Sequence, residues 1–295
     1  AARAMANRGL AHRLQEIGMH PFESQLYDRV LEGVAAEVAR LRNILHGVQA
    51  AASERSWARQ QIIGDLDDSR LVEGLAGEKA IFMRRLDQPP PEGAPQQKPK
   101  RLHFALDCSA SMYRFNGHDQ RLHRITQLAV LVMESFAGFE HKYNFCLTGH
   151  NGDSASIPLV DYGRPPANRK ERYKVVQAVI AHAQFCITGD KSLQAASAAV
   201  KAVVSEDADD YFVFLVSDAN LAQYGVTPLA LARALENGAE NRQVHCHALM
   251  LCDDEDAREL CTMLPTGHGH IISDPVQLPQ TFQRIFSSSI MNARM

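Results

Sequence analysis

The 295-residue chain is 45% hydrophobic and carries a formal net charge of -3, enough apolar material for one full core and a second, smaller unit. Its mixed-sign charge leaves no concentrated basic face, which excludes a grip on duplex nucleic acid, and no apolar run reaches the roughly 18 residues of a membrane-crossing helix. The six cysteines include no C-x-x-C pair, which points to a reducing compartment.

The chain opens Ala-Ala-Arg-Ala-Met, without the apolar core of a signal peptide. No G-x-x-x-x-G-K-[ST] phosphate loop occurs. It therefore reads as a piece of a longer protein, without nucleotide-binding machinery of its own. Residues 1–86 read as a helical arm. Leu26, Val30, Val34, Val38, Leu41, Leu45 and Val48 recur every three or four positions, predicting a long amphipathic helix between Pro21 and Trp57 with Arg29, Glu37, Arg40 and Arg42 on its other faces. The narrow stripe suits one neighbour in an antiparallel helix pair, a coiled-coil seam being the alternative. Gly64-Asp65-Leu66-Asp67-Asp68 then gathers three carboxylates. Acidic residues are favoured at a helix start by its dipole, and the later Gly and Glu of an EF-hand are missing, so a new helix is expected here. Residues 87–100, with Pro89, Pro90, Pro91, Pro95 and Pro99, read as a semi-rigid linker.

From residue 101 to 290 strands and helices alternate, which predicts a doubly wound α/β domain with a mostly parallel sheet; 291–295 would be a tail. Strands are expected at 102–107, 143–149, 211–217 and 244–251, with a short one near 270. Helices are expected near 121–137, 171–184, 192–204, 227–237, 255–263 and 277–289. Tyr211-Phe212-Val213-Phe214-Leu215-Val216 has no alternation, as expected of a strand buried on both faces.

The stretch Asp107-Cys108-Ser109-Ala110-Ser111 directly follows the apolar strand Leu102–Leu106. A turn at the carboxyl edge of an open sheet is where ligands bind. One carboxylate and two hydroxyls supply hard oxygen donors without completing an octahedron, so they suit an open magnesium site whose remaining positions are filled by water or a partner. A second buried strand also ends in an acid, Asp218. A turn followed by a helix cap would use the same residues. No G-x-S-x-G elbow surrounds Ser109 or Ser111, which speaks against a serine hydrolase.

With these residues together, the chain resembles a von Willebrand factor A domain with a metal-ion-dependent adhesion site. The resemblance implies that Asp107, Ser109 and Ser111 supply the first ligands and Asp218 the late acid, with a hydroxyl on an intervening loop between them. Thr188 and Ser192 are the candidates for that hydroxyl; Ser192, opening a helix beside a glycine turn, is favoured. Ala110 stands where the family commonly has Gly. Mg2+ is the implied ion, with Mn2+ able to replace it, and an acidic side chain of a protein partner is the implied ligand.

Ser111-Met112-Tyr113-Arg114-Phe115-Asn116, Gln184-Phe185-Cys186 with Gly189-Asp190, and Leu215–Leu221 with Tyr224-Gly225 carry a closer resemblance. It is to the terminal A domain of dynein-related, mitochondrial AAA+ ATPases. This implies ATP-binding modules upstream of the present chain, an ATPase ring as partner, no catalysis in this piece, and a mitochondrial location. A chelatase-type subunit assisting metal insertion into a tetrapyrrole is the alternative. The absent signal peptide and unpaired-looking cysteines argue against an extracellular adhesion module.

Around the loop, Tyr113 to Asn116 either anchor the following helix or rim the open coordination position. Asn220 is placed to orient Asp218. His245 and His247 share one strand face, with Cys246 on the other, and together with His268 and His270 they read as structural rather than as a metal site.

Overall fold

The computed structural model describes residues 11–52, 56–67, 79–86, 98–186, 189–208, 210–218, 225–236, 244–253 and 255–292. The chain forms two compact units, one comprising Ala1–Asn43 with Lys98–Met295 and the other Ile44–Gln97.

The amino-terminal stripe forms two helices rather than one. α1 (Pro21–Glu32) starts at a capping box, in which the His20 ring accepts from the Phe22 amide at 3.2 Å and Glu23 accepts from the His20 amide at 2.9 Å. It stops at Gly33, and α2 (Ala35–Ala52) follows. Glu37, expected on an outer face, is buried along with Val34 and Leu41.

The smaller unit corrects the expectation of helix as far as residue 86. β1 (Ser56–Gln61), β2 (Asp65–Leu66) and β3 (Phe82–Leu86) make an antiparallel sheet ordered β1-β3-β2. Asp65, expected at a helix start, pairs with Met83 in a strand. Ser56 pairs with Leu86, and partners this distant leave no period in the local sequence. The proline-rich stretch 87–97 lies outside the described residues.

The larger unit is built on six strands: β4 (Lys100–Asp107), β5 (Tyr143–His150), β6 (Ile157–Val160), β7 (Tyr211–Ser217), β8 (Val244–Met250) and β9 (Gly269–Ile271). They are ordered β6-β5-β4-β7-β8-β9, all parallel except β6, which runs antiparallel to β5. β6 was not among the expected strands. It has four residues and contains Pro158, a residue that a sheet admits at its edge.

The helices interleaved with these strands are α3 (Ala110–Arg114), α4 (Asn116–Asp119), α5 (Arg121–Phe136), α6 (Arg169–Phe185), α7 (Ser192–Val203), α8 (Pro228–Glu236), α9 (Glu255–Met263) and α10 (Leu278–Asn292). They cover both faces of the sheet. On one, Phe104 stacks on Phe214 at 4.8 Å and meets Phe136 of α5 and Phe282 of α10. On the other, Ala105, Val213 and Leu215 pack with Ala196, Ala199 and Val200 of α7 and Leu231 of α8. Double coverage accounts for the unbroken apolar run of β7. The chain leaves β4 for β5 on one side and returns to β7 on the other. That reversal opens a crevice at the carboxyl ends of β4 and β7, the place where α/β sheets bind ligands.

Candidate metal centre

Asp107 is the last residue of β4 and only 2% exposed. It lies in register with His150 of β5. On its other side the Ser217 hydroxyl donates to Oδ2 at 3.3 Å, while Oδ1 accepts from the Ser109 amide at 2.8 Å. Ser109 occupies the N-cap position of α3, yet its hydroxyl makes no cap bond. Serine at that position ordinarily caps; here its oxygen stands 2.8 Å from Ser111 Oγ. Ala110 enters the helix without a positive φ, so the methyl group meets no backbone strain there.

Asp218 follows β7 and is buried. Its Oδ2 accepts from Arg121 Nη1 at 2.6 Å, and Arg121 Nε donates to both oxygens of Asp119, at 2.9 and 2.7 Å. Ser192 opens α7 and is fully buried; its amide and hydroxyl donate to Asp190 Oδ1 at 3.1 and 2.7 Å. Thr188, the other candidate hydroxyl, lies outside the described residues, as does Asn220.

The turn carrying Asp190 is held by a close backbone approach. Gly189 has φ +103°, and a Cβ there would come within 3.0 Å of Gly152 Cα. Lys191 Nζ donates to the Asp153 carbonyl at 2.7 Å. The turn thus rests on the loop that leaves β5, and Asp190 Oδ1 comes to 3.8 Å from His150 Nδ1. Burial, then the negative charges of Asp218 and Asp190, hold the Asp107 carboxyl well above the ordinary carboxylate range. Burial pushes the His150 imidazole the other way, toward its neutral form, against the pull of Asp190 and Asp218.

A cation would suit this arrangement. Buried carboxylates that repel one another become favourable as soon as a cation lies between them. The buried Asp190 Oδ2 and both nitrogens of His150 have no hydrogen-bond partner, and buried polar atoms of this kind ordinarily find one. Among the described residues no three His, Cys, Asp or Glu side chains stand close enough to hold an ion by themselves. The hydroxyls of Ser109, Ser111 and Ser192 would therefore have to complete a donor set of hard oxygens with Asp107 and Asp218.

Three residues in the crevice escaped the sequence reading as ligand neighbours: Asp190, His150 and Arg121. The register of β5 against β4 could have found His150, but that register is a tertiary fact. On the rim, Tyr113 and Phe115 are 44% and 48% exposed, whereas Asn116 Oδ1 accepts from the His123 amide at 3.1 Å and so anchors α5. The six cysteines are all free thiols. His247 stacks on His268 at 4.9 Å and lies 3.4 Å from His270. No helix among the described residues is long and apolar enough to cross a membrane.

The sheet order, its double helical cover and the Asp-x-Ser-x-Ser turn at the switch point define a von Willebrand factor A domain. Over 294 residues, 99% of its length, the chain is 41% identical to von Willebrand factor A domain-containing protein 8 of Mus musculus, and it is homologous to that segment. It spans 15% of the length of that relative. No protein-family model matches the chain. Similar solved structures include the von Willebrand factor domain of the type V pili tip protein Mfa5 from Porphyromonas gingivalis, at 10% identity and a TM-score of 0.46 over 66% of this chain and 96% of that one. Another is the von Willebrand factor type A structure from Catenulispora acidiphila, at 16% identity and a TM-score of 0.41 over 64% and 42% of the two chains.

Proposed function

We propose that the larger unit is a divalent-cation-dependent protein-recognition module. Asp107 and Asp218 would hold or orient the ion, directly or through water, with Ser109, Ser111 and Ser192 giving neutral oxygens. Mg2+ is the ion expected from the sequence, with Mn2+ able to replace it. The bound ion would supply a Lewis-acidic position for a carboxylate of a partner protein, because few direct negative charges leave it electrophilic. The observation that carries this reading is the pair Ser109 and Ser111, whose hydroxyls face one another beside a buried carboxylate instead of capping the helix that follows. Tyr113 and Phe115 flank the opening as contact residues.

The partner is proposed to belong to an AAA+ ATPase assembly, in mitochondria, with ATP bound only by modules outside this chain. The test is titration of Mg2+ and Mn2+ into the wild-type chain and Asp107→Ala, followed by capture of an acidic peptide with and without chelator. Loss of at least about tenfold in metal affinity is expected from removing a carboxylate ligand, together with chelator-sensitive capture. Equal affinity in the two proteins would sink the site assignment, and capture indifferent to chelator would sink the mechanism.

A further inference from the structure

The sheet ends in a strand whose outer edge faces a polar cavity. β9 is last in the order β6-β5-β4-β7-β8-β9, with His270 in register with Leu249 of β8. The Ala248 amide donates to the His268 carbonyl at 2.8 Å, and the Ile272 amide donates to the Met250 carbonyl at 2.7 Å. Residues that bond the neighbouring strand alternate along a ladder. The N–H and C=O of Gly269 and Ile271 therefore face away from β8, and neither has a backbone partner among the described residues. An edge of this kind is a template for another strand. Beside it lies a cavity of about 360 Å3 between β9 and the side chains of Gln277, Gln280, Thr281 and Arg284. Their spacing of three, four and seven positions puts all four on one face along the start of α10.

The charge in this cavity is of one sign. Thr281 Oγ1 donates to the Gln277 carbonyl at 3.0 Å, and Arg284 Nη2 stands 3.5 Å from that hydroxyl oxygen. Among the described residues no carboxylate pairs with Arg284. Asp274, the nearest acid in the sequence, accepts from the Val276 amide at 2.9 Å. His270 is held toward its neutral form, at about 4, first by burial and then by the charge of Arg284; an anion beside both would relieve that repulsion. A small anion would satisfy Arg284 but would leave the Gly269 and Ile271 carbonyls without donors. An extended peptide offers N–H and C=O groups together and sends alternate side chains to one face. We propose that the outer edge of β9 binds an extended segment of a partner protein as an added strand, with an acidic side chain of that segment on Arg284. The three residues of β9 restrict the contact to a short motif. This surface lies at the sheet edge, away from the β4–β7 crevice, and does not rest on the cation-centre reading.

The test is NMR of the 15N-labelled full chain titrated with a capped peptide in which valine and threonine alternate around a central glutamate. The expected result is a shift of the Gly269 and Ile271 amide resonances, with slowed exchange of both amides with solvent. Arg284→Gln should weaken binding at least about tenfold, the loss of one charge-assisted hydrogen bond. Arg284 is exposed, so the substitution leaves the packing of α10 unchanged. A peptide with glutamine in place of the glutamate should bind the wild type as weakly as the original peptide binds Arg284→Gln, and the two changes together should cost little more than either, as expected of two halves of one contact. Absence of any shift at Gly269 and Ile271 overturns the proposal. So do perturbations confined to Arg284 and reproduced by acetate, which mark a small-anion site. Binding abolished by chelator places the peptide at the cation centre, overturning the β9 assignment and leaving the reading of that centre intact.

Discussion

Arg121 shows how a single residue tunes the crevice. Its guanidinium is 13% exposed and bridges Asp119 on α4 to Asp218 after β7. It therefore supplies part of the positive charge that the buried acids require, and it ties the rim of the metal loop to the far acid. His103 illustrates the opposite case away from the site. It is 3% exposed, bonded to Thr148 Oγ1 at 2.9 Å and to the Tyr162 hydroxyl at 3.3 Å, and burial, helped by Arg101, lowers its pKa to about 4. Its ordinary value is about 6.5. Between these two values the unfolded chain binds a proton that the folded chain refuses, so the stability contributed by neutral His103 is complete above the unfolded value and declines as pH falls toward the folded one. Urea denaturation at several pH values should show His103→Gln losing about 1.4 kcal/mol less per pH unit than wild type between pH 6.5 and 4. The difference in slope is the readout, since the substitution can change stability at every pH. Parallel curves would show that His103 takes no part in acid sensitivity.

At the scale of elements, the strands around the site were legible because parallel, doubly covered strands are unbroken apolar runs. β7 follows the expected bounds, and β4 and β5 extend them by no more than a residue or two at either end. Asp107 and Asp218 were legible for the same reason, each being the first carboxylate after such a run. What could not be read locally were features set by contacts between distant segments: the β1–β3 sheet, the edge strand β6, and the placement of His150 and Asp190. The Gly189 turn is the clearest example. Its sequence announces a turn, but only the structure shows that Gly189 must lie against Gly152. Gly189→Ala adds a methyl group at φ +103° and 3.0 Å from a backbone atom. It should destabilise the larger unit by about 1–3 kcal/mol and weaken metal binding by displacing Asp190 and Ser192. Gly163 is the control: its φ is +70°, but nothing lies within 4 Å of an added Cβ. Gly163→Ala should show backbone strain without a change in metal affinity. Equal metal affinity in both variants would mean that the Gly189 turn does not position the site.

At the scale of the whole molecule, the division into two compact units would make metal binding at the proposed site a local stabiliser. An ion that binds the native site and not the unfolded chain adds about 2.7 kcal/mol at a hundred times its dissociation constant. For a unit of this size that corresponds to roughly 5–10 °C in melting temperature. The candidate residues all fall in Lys98–Met295, whereas the smaller unit comprises Ile44–Gln97. The sequence provides a reporter for each: the sole tryptophan, Trp57, lies on β1 of the smaller unit, while most helices belong to the larger one. Compact units of one chain can unfold in separate steps. Heating should therefore give a circular-dichroism transition at 222 nm that moves upward with added Mn2+ or Mg2+ and a Trp57 fluorescence transition that does not. In Asp107→Ala neither should move. A common shift of both signals would show that the two units melt as one cooperative body, in which case occupancy of the metal centre is transmitted to the segment preceding the A domain.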